Sequence, residues 1–352
     1  MASEYRNTRV LITGGLGFIG SNLALHLAAA GAEVTVVDSS VEGCGANPRN
    51  LAGALAPIRV IHADIADAAT FAAEIRASRV IFNLAGEVSH LESMRQAGRD
   101  LLLNTTAQLQ FLEECARQNP DVRVVYASTR QIYGAPRYLP VDELHPIHPL
   151  DFNGTHKYAA TSYHQVLTSA GKLDAVSLCL TNVYGPRMAL NLPTQGFLGG
   201  FLRRALLGEP ISVFGDGRQL RDPIYVDDAV DAFLRAGIAV EGTSRLWNLG
   251  SGQPVSLASI AATIASAANA PAPLFRPFPA ELKSIDIGSY YANTERIRIE
   301  LGWTPRVDFK RGIRRTIEYY KQELAYYVNG ADYQAYAARG GWNAVEPQPM
   351  AV

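Results

Sequence analysis

Three glycines near the start of the chain, Gly14, Gly17 and Gly20, lie at G-x-x-G-x-x-G spacing in the stretch TGGLGFIG. Glycine is needed where a turn takes unusual backbone angles and where backbone must approach a pyrophosphate, and the helix that follows offers free N–H groups to the anion. Asp38 ends the next apolar run, where a carboxylate can bind both hydroxyls of a ribose and repel a 2′-phosphate. The pattern predicts a dinucleotide site that prefers NAD to NADP.

Further residues are predicted to contact the same cofactor. Most follow the ends of later apolar runs, where a parallel sheet binds its ligands. Asp64 could hold the adenine edge, although an aspartate in that place is as often a helix cap. The predicted contacts beyond the glycines and Asp38 are Phe18, Ile19, Asp64, Ile65, Leu84, Ala85, Gly86 and Asn104.

The stretch PLDFNGTHKYAATSYH, residues 149–164, has an amide and a lysine at helical spacing. Residues i and i+4 share one face of a helix, so Asn153 and Lys157 should point the same way if a helix begins near Asp151. An amide neither gains nor loses a proton near neutral pH. Asn153 can therefore orient a hydroxyl but cannot serve as a general base.

Short apolar runs alternate with helical patterns through the first half of the chain, beginning with RVLITGG and AEVTVVD. Such alternation predicts an α/β fold, a doubly wound parallel (Rossmann) sheet with helices on both faces. After residue 186 the alternation stops and Gly/Pro-punctuated loops follow. We predict a nucleotide-binding domain over residues 1–180 plus about 224–250, a smaller C-terminal substrate-binding domain over 181–223 plus 251–328, and a loosely held tail, 329–352.

Charge and cysteine usage argue against several classes of protein. The 352 residues are 48% hydrophobic with a formal net charge of −1, so no basic field recruits nucleic acid or an anionic membrane. Cys44, Cys115 and Cys179 lack metal-ligand spacing, so we expect no metal site and a reducing compartment. The N-terminal stretch is charged, and no run approaches the roughly 18 apolar residues of a membrane span. These features predict a cytoplasmic protein with a small ligand.

Seven motifs stand in an order that resembles the extended short-chain dehydrogenase/reductase family, the NDP-sugar epimerases and dehydratases. The resemblance covers roughly residues 8–325 and implies a cofactor, NAD, and a nucleotide-diphosphate sugar substrate. The motifs are TGGLGFIG, DI at 64–65, NLAG at 83–86, ASTRQIYG at 127–134, Lys157, TNVYGPR at 181–187 and GDGRQLRDPIYVDDAVDAF at 215–233.

The resemblance assigns roles to residues on both sides of the reacting sugar. Thr129 would hydrogen-bond the sugar hydroxyl being oxidised, and Lys157 would hold the nicotinamide ribose. Asn182 and Arg221 would grip the substrate diphosphate, for which a guanidinium is well shaped. Phe214 and Gln219 fall in the loop that meets the nucleotide base and ribose. Thr129 could instead satisfy backbone at a strand end, and Arg221 could be the ion-pair partner of an aspartate in the next helix.

The sequence departs from the family pattern at three places. A tyrosine that exchanges a proton with the sugar hydroxyl is expected four residues before Lys157, where this chain has Asn153. The Asp-Glu pair of the dehydratases is replaced by Arg130 and Gln131. His156 stands where a small Ser or Thr is usual, although a lone helical histidine is more often packing than catalysis.

The proton that a tyrosine would carry needs another group. Glu87 and His90 follow the fourth apolar run, and a partly buried carboxylate or imidazole there has suitable chemistry. Tyr133 and Lys157 are further candidates. Glu87 is favoured slightly, because it is nearest the expected cofactor contact, and His90 is also placed on the substrate side.

The residues and the resemblance together predict an NAD-dependent epimerase of a nucleotide-diphosphate sugar that acts through a transient keto-sugar. One alternative is an NDP-sugar dehydratase or dehydrogenase with a relocated base. Another is a non-catalytic NAD- or nucleotide-binding sensor or scaffold. A homodimer is predicted from the apolar stripes of LLLNTTAQLQFLEECA and YAATSYHQVL, which could equally face the sheet. The nucleotide base and the sugar are not recoverable from one sequence.

Overall fold

The strands of the computed structural model include the alternating set that the sequence predicts. The structure describes residues 2–192, 196–240, 245–283 and 285–338. In chain order the strands are β1 Arg9–Thr13, β2 Glu33–Asp38, β3 Ile58–His62, β4 Val80–Asn83, β5 Arg123–Thr129, β6 Asp174–Leu180, β7 Asn182–Tyr184, β8 Ser212–Phe214, β9 Leu220–Arg221, β10 Pro223–Tyr225, β11 Leu246–Leu249, β12 Val255–Ser256 and β13 Leu274–Arg276.

Helices connect these strands. The α-helices are α1 Phe18–Ala29, α2 Ala72–Ala77, α3 His90–Arg95, α4 Ala97–Leu101, α5 Ala107–Gln118, α6 Phe152–Ser169, α7 Phe197–Leu206, α8 Val226–Gly237, α9 Leu257–Ala268, α10 Ala280–Lys283, α11 Glu295–Leu301, α12 Phe309–Glu323 and α13 Gly330–Ala338. A π-helical turn, Leu102–Thr106, joins α4 to α5, and 3-10 turns occur at Ala2–Tyr5, Pro48–Leu51, Ile65–Phe71, Arg130–Tyr133 and Leu324–Tyr326.

A seven-stranded sheet in the order β11-β6-β5-β4-β1-β2-β3 forms the centre of the molecule, and all its neighbours are parallel. The central strands β4 and β5 are buried along nearly their whole length, because helices cover both faces. The predicted doubly wound α/β fold is therefore confirmed. Strand order reverses between β1 and β4, and the carboxyl ends of these strands open a crevice there.

The region after β6 is built from short strand pairs, β7 with β10, β9 with β12 and β8 with β13. The late strand β11 returns to pair with β6 in the main sheet. One hydrophobic cluster nevertheless runs from Val36 in the sheet through Phe201 to Ile264, so the two regions share packing. The predicted domain bounds stay a prediction.

The predicted loose tail, 329–352, is ordered in its first part. Helix α13 covers Gly330–Ala338, where Tyr336 is buried and Asp332 pairs with Arg203. Burial of an aromatic ring and an ion pair fix this segment, which the lack of apolar periodicity did not reveal. Residues 339–352 lie outside the described residues. Among the helices of the described part, none combines the length and the apolar character needed to cross a membrane.

Candidate active site

A cavity of about 320 Å³ opens at the carboxyl edge of the sheet. It runs from the glycine turn, past the ends of β2 and β4, to residues of β5 and α6, and then to the segment after β6. This is the crevice in which a doubly wound sheet binds its ligands. A more open groove of about 570 Å³ lies along the β3 edge, but His62 is the one titratable residue in its lining. The cavity, not the groove, therefore holds the chemistry.

The glycine turn between β1 and α1 is tightly packed. Gly14 has φ of +66°, and a Cβ there would lie 2.8 Å from the backbone nitrogen of Ala85. A Cβ on Gly20 would lie 2.3 Å from the Gly14 carbonyl oxygen. Gly17, Phe18 and Ile19 also line the cavity, so the N-terminus of α1 opens into it. The turn thus offers helix N–H groups to an anion.

Two aspartates at strand ends line the adenosine half of the predicted site. Asp38 accepts hydrogen bonds from the backbone N–H of Leu16 at 3.0 Å and of Ser40 at 2.9 Å. Asp64 accepts one from Ala66 at 2.8 Å and caps the following turn. Both residues, with Ile65, face the cavity. Asp64 therefore has both properties that the sequence left as alternatives, a cap and a cavity-lining side chain.

The loop after β4 brings Leu84, Ala85 and Gly86 to the cavity. Asn104 is fully buried beneath this loop and does not line the cavity: its oxygen accepts from the Glu87 N–H and its amide donates to the Glu87 carbonyl, each at 3.1 Å. Asn104 therefore fixes the loop that the cofactor would meet. The structure thus places Asn104 behind the cavity lining, whereas the sequence suggested a direct contact between Asn104 and the cofactor.

Glu87, the group favoured for proton transfer, turns away from the cavity. Its carboxylate accepts from the backbone N–H of Val88 at 2.8 Å and of Ser89 at 2.9 Å, and from the Cys44 thiol at 3.3 Å. Arg99 lies 3.9 Å from the same carboxylate. These contacts hold the Glu87 carboxylate outside the lining of the cavity, so the structure does not support the proton-transfer role that the sequence favoured for Glu87.

Helix α6 begins where the spacing predicts. Asp151 is its N-cap, and its carboxylate accepts the Gly154 N–H at 2.6 Å. Asn153 and Lys157 both line the cavity from this helix, as the i, i+4 argument requires. The Asn153 amide nitrogen donates to the Glu87 carbonyl and to the Asp100 carboxylate, each at 3.0 Å. Its N–H groups therefore bind the protein and are not free to orient a substrate.

Lys157 presents a buried ammonium group to the cavity. Nζ lies 5.2 Å from the centre of the Tyr126 ring, and a Cβ on Gly86 would come within 2.9 Å of it. Within the described ranges no protein group accepts a hydrogen bond from Nζ. Burial lowers the pKa of Lys157 to about 8, partly offset by the charges of Asp100 and Glu87. The lysine is thus available to a ligand.

Two histidines near Asn153 each contact a buried aspartate. His156 Nδ1 lies 2.7 Å from Asp100, and this pair does not line the cavity. His90 Nδ1 lies 3.2 Å from Asp151, and His90 does line it. His156 is thus a packed residue, which was the commoner interpretation of a lone helical histidine.

Thr129 ends β5 and lines the cavity. Its hydroxyl oxygen also accepts the Gln131 N–H at 3.3 Å. Thr129 therefore has the backbone-capping role that the sequence left open, and it lines the cavity as well. Tyr133 is not available for proton transfer. It is 1% exposed and donates to Asn248 at 2.8 Å, and burial raises its pKa.

Arg130 and Gln131 occupy the place of the dehydratase acid and base. The Arg130 guanidinium donates to the Gln131 amide oxygen at 3.0 Å and lies 5.2 Å from the centre of the Tyr290 ring. Burial lowers the pKa of Arg130 but leaves a cation. Neither an arginine nor an amide can remove a proton from a sugar carbon at neutral pH. The acid and base that a dehydratase uses to eliminate water are therefore absent from these two positions.

The substrate half of the cavity has two buried acceptors without protein partners. Thr181 Oγ1 and Asn182 Oδ1 make no hydrogen bond within the described part of the chain, and both residues line the cavity. Buried polar atoms are nearly always hydrogen-bonded, so such orphans mark a place for a ligand. Asn182 was predicted for this side; Thr181 was not.

Arg221, Gln219 and Phe214 lie beyond the cavity lining. Arg221 donates to the Gly288 carbonyl and to the Gln219 amide oxygen at 3.1 Å, and it lies 3.7 Å from Asp286. Its carboxylate neighbour is therefore Asp286, not an aspartate of α8 as the sequence suggested. Burial and the charge of Arg130 lower the pKa of Arg221 to about 10. Phe214 is 38% exposed and contacts Phe278.

Sequence reasoning missed several residues of the site. Asp151 was recognised as a helix start but not as the partner of His90, because the two are far apart in the chain. Cys44, Val88 and Phe197 also line the cavity and carry no motif. For Asp151 a usable signal was its place two residues before Asn153, at the N-terminus of the helix that carries the site.

The cavity fits a dinucleotide. The glycine turn leaves no room for side chains where a pyrophosphate would lie, α1 supplies its N-terminus, and Asp38 stands at the ribose position. NAD bound there would supply a hydride acceptor and donor, with Lys157 and Thr129 at its nicotinamide end. Among the described residues no cluster of three or more His, Cys, Asp or Glu could hold a metal ion.

Comparisons with known proteins agree with this site. The chain is 33% identical to the UDP-glucose 4-epimerase of Mycolicibacterium smegmatis over 319 residues, covering 90% of this chain and 99% of that one. It is similar to the crystal structure of Thermotoga maritima UDP-glucose 4-epimerase with UDP-glucose, with TM-score 0.81, 27% identity, and coverage of 90% and 99%. It is also similar to the Thermus thermophilus enzyme in complex with NAD, with TM-score 0.79, 28% identity, and coverage of 89% and 99%.

A family model matches residues 10–250, which include the glycine turn, the end of β5 and helix α6. The matched span covers more than half of the chain and contains both halves of the cavity. The cofactor predicted from the glycines and Asp38 is the one by which the family is described. The chain is a member of the NAD-dependent epimerase/dehydratase family of enzymes.

Proposed function

We propose that the protein is an NAD-dependent epimerase of a nucleotide-diphosphate sugar. A ring carbinol is oxidised transiently to a ketone, and the hydride returns to the opposite face. The similar proteins of Mycolicibacterium smegmatis and Thermotoga maritima are named UDP-glucose 4-epimerases, so UDP-glucose is the first substrate to test.

One observation carries this proposal. A single cavity joins the cofactor turn to Thr129, Lys157 and the unpartnered acceptors of Thr181 and Asn182. A cofactor and a second ligand can therefore lie end to end, with Thr129 and Lys157 where they meet. A protein that only sensed NAD would have no need of orphaned acceptors beyond the nicotinamide end.

Epimerisation is favoured over dehydration by the residues that follow Thr129. Loss of water across the sugar needs an acid and a base, and the structure has Arg130 hydrogen-bonded to Gln131 in their place. Epimerisation needs one hydroxyl proton to leave and return. A site with one proton-transfer group is sufficient for it.

The direct test is incubation of the purified holoenzyme with UDP-glucose and then with other nucleotide-diphosphate sugars. We expect a product of unchanged mass with inverted configuration at one carbon. Loss of the mass of water would identify a dehydratase instead. If NAD binds but no sugar is oxidised, isomerised or dehydrated, the protein is a binding protein and the proposal is wrong.

We also infer a homodimer. The side chains of Leu102, Phe152, Tyr158 and Val166, on the π turn and on α6, are between 37% and 62% exposed. This is a patch of apolar residues on the outer side of the site helices, of the kind that a second copy covers. Light scattering on the wild type and on Val166→Glu tests this: a dimer that becomes monomeric is expected, and a wild-type monomer would contradict it.

A reducing, cytoplasmic compartment is proposed from the cysteines. Cys115 and Cys179 are buried and unpaired, and Cys44 lies beside the cofactor cavity with its thiol against Glu87. Free thiols in this number fit a cytoplasm better than an oxidising space. Cell fractionation with an antibody to the native protein is the test.

A further inference from the structure

The cavity needs a proton-transfer group, because Asn153 stands where the family has its tyrosine and Glu87 faces away. The titratable side chains that line the sugar end near Asn153 are few. Lys157 is one and His90 is the other. Asp38 and Asp64 lie at the opposite, adenosine end, and Cys44 has its pKa raised to about 12 by burial and by Glu87.

His90 stands at the first position of α3, and α3 packs against α6. The Nδ1 atom of His90 is buried and lies 3.2 Å from Asp151 Oδ2. At this distance the two groups are in contact but do not form a hydrogen bond in this structure, and catalytic pairs are often aligned only when substrate binds. The side chain is 31% exposed, and His90 is one of the residues that line the cavity.

Asp151 is well placed to control this imidazole. Its side chain is 2% exposed, and Gly154 N–H and Gln131 Nε2 hold its two oxygens at 2.6 Å and 3.3 Å. Burial alone would raise the pKa of Asp151, but His90, Gly154 and Arg130 bring it below its ordinary value. A fixed carboxylate at Nδ1 keeps the proton on that nitrogen and leaves Nε2 as the free base.

Asp151 also caps the helix that carries Asn153 and Lys157. The aspartate that orients His90 is therefore fixed to the same element as the lysine at the nicotinamide end. His90, Asn153, Lys157 and Thr129 line one continuous cavity. A hydroxyl between Thr129 and the start of α6 would have the imidazole as its neighbouring base.

We propose that His90, oriented by Asp151, is the general acid and base that replaces the missing tyrosine; this rests on the proposed epimerase function. NAD held in the cavity would supply the acceptor and donor of the hydride that leaves and rejoins the sugar carbon. His90 Nε2 would take the O–H proton as the carbinol becomes a ketone and would return it when the carbinol forms again with the hydride on the other face. His90 is the catalytic residue, and Asp151 is a positioning residue.

The first test compares His90→Gln with His156→Gln, two histidines that both contact a buried aspartate. With UDP-glucose or whichever nucleotide sugar the wild type turns over, we expect His90→Gln to lower kcat by about 10²–10⁴-fold. NAD content, thermal midpoint and the affinity for UDP measured by calorimetry should stay near wild type. The control His156→Gln should keep kcat within about tenfold, since His156 does not reach the cavity.

Two further measurements separate chemistry from packing. Imidazole added to His90→Ala should restore part of the lost turnover, because the small base can enter the cavity that the side chain leaves. Asp151→Asn keeps a helix cap but offers an amide to Nδ1, so it should lower kcat at least about tenfold with KM little changed. Nitrogen-15 spectra of the histidine rings should show His90 protonated on Nδ1 in the wild type and the other tautomer in Asp151→Asn.

The outcomes are distinct. If the wild type is active and His90→Gln retains its kcat within about threefold, His90 is not the base although the proposed function stands. If imidazole fails to rescue His90→Ala and Asp151→Asn has wild-type kcat, the pair is structural. If the wild type never oxidises any nucleotide sugar, the proposed function fails and the catalytic role of His90 fails with it.

Discussion

Helix α6 takes part in two His–Asp pairs whose surroundings differ. On the cavity side His90 meets Asp151, and its ring is 31% exposed. On the closed side His156 meets Asp100, and its ring is 11% exposed. The closed pair is the shorter, 2.7 Å against 3.2 Å. The tighter contact belongs to the pair that packs, and the looser one to the pair that a ligand can reach.

A short His–Asp distance alone therefore does not identify a reactive pair. Asp100 shares its carboxylate between His156 and the amide of Asn153, and all three residues are buried. A buried network with its hydrogen bonds satisfied fixes one arrangement of the chain. His90 has an open side towards the cavity. Changes on the cavity side should therefore alter turnover, and changes on the closed side should alter stability.

Among substitutions on helix α6 itself, the largest expected effect comes from the lysine on the cavity side. Lys157→Met removes a buried cation that lines the cavity, and we expect kcat to fall by about 10³-fold. Steady-state kinetics on NAD-loaded protein measure this. The Tyr158→Phe variant, on the outer side of the same helix, is a matched control that changes one exposed polar atom. Equal kcat in Lys157→Met and wild type would contradict the assignment.

Lys157→Met should also raise the free energy of unfolding, by an amount that depends on pH. The pKa of Lys157 falls from an ordinary 10.5 to about 8 because of burial. Below pH 8 the lysine is charged in both the folded and the unfolded state, so the full cost of burying the charge lowers the free energy of unfolding. Between pH 8 and 10.5 the unfolded state holds the extra proton, so wild-type stability rises with pH. In cofactor-free protein the gain of Lys157→Met should be full at pH 7 and shrink towards pH 10.5, as denaturant titrations would show.

A change in the closed pair should act mainly on stability. Asp100→Ala leaves His156 Nδ1 and the Asn153 amide without their acceptor, so the free energy of unfolding should fall by roughly 1–3 kcal/mol. The kcat of the folded fraction should fall less than about tenfold. Urea unfolding and kinetics at a temperature below the transition measure both. If Asp100→Ala lost as much turnover as His90→Gln at unchanged stability, the assignment of the Asp100–His156 pair to stability would be wrong.

The smallest effect is expected at Asn153, which touches both sides. Asn153→Ala removes hydrogen bonds to the Glu87 carbonyl and to Asp100, with an expected loss of about 1 kcal/mol in stability. Turnover should fall far less than in Lys157→Met, because the amide N–H groups bind protein. A kcat as low as that of the lysine variant would show that Asn153 contacts the reacting hydroxyl.

Local sequence patterns predicted much of the fold and of the cofactor-binding half of the cavity. The glycine spacing and Asp38 depend on a strand-turn-helix that short-range residues specify. The start of α6 at Asp151 also followed from a local cap. In the first part of the tail the structure has the helix Gly330–Ala338, where Tyr336 is buried and Asp332 pairs with Arg203, and no local pattern indicated this helix.

The substrate half was less accessible to sequence reasoning. Glu87 and His90 lie three residues apart in the segment that follows β4, and the sequence favoured Glu87 as the proton-transfer group. Its carboxylate turns back to the N–H groups of Val88 and Ser89, a choice that depends on how Asn104 holds the loop. Asp286, the acidic neighbour of Arg221, comes from a segment with no motif.

The doubly wound sheet, the NAD site and the absence of the usual tyrosine and dehydratase pair could be predicted from the sequence, because each depends on residue type and short spacing. Which titratable groups line the cavity depends on the tertiary structure. His90 and Asp151 meet because α3 packs on α6, and Glu87 is removed by hydrogen bonds within its own loop. Side-chain direction depends on packing between distant segments, and local spacing does not encode it.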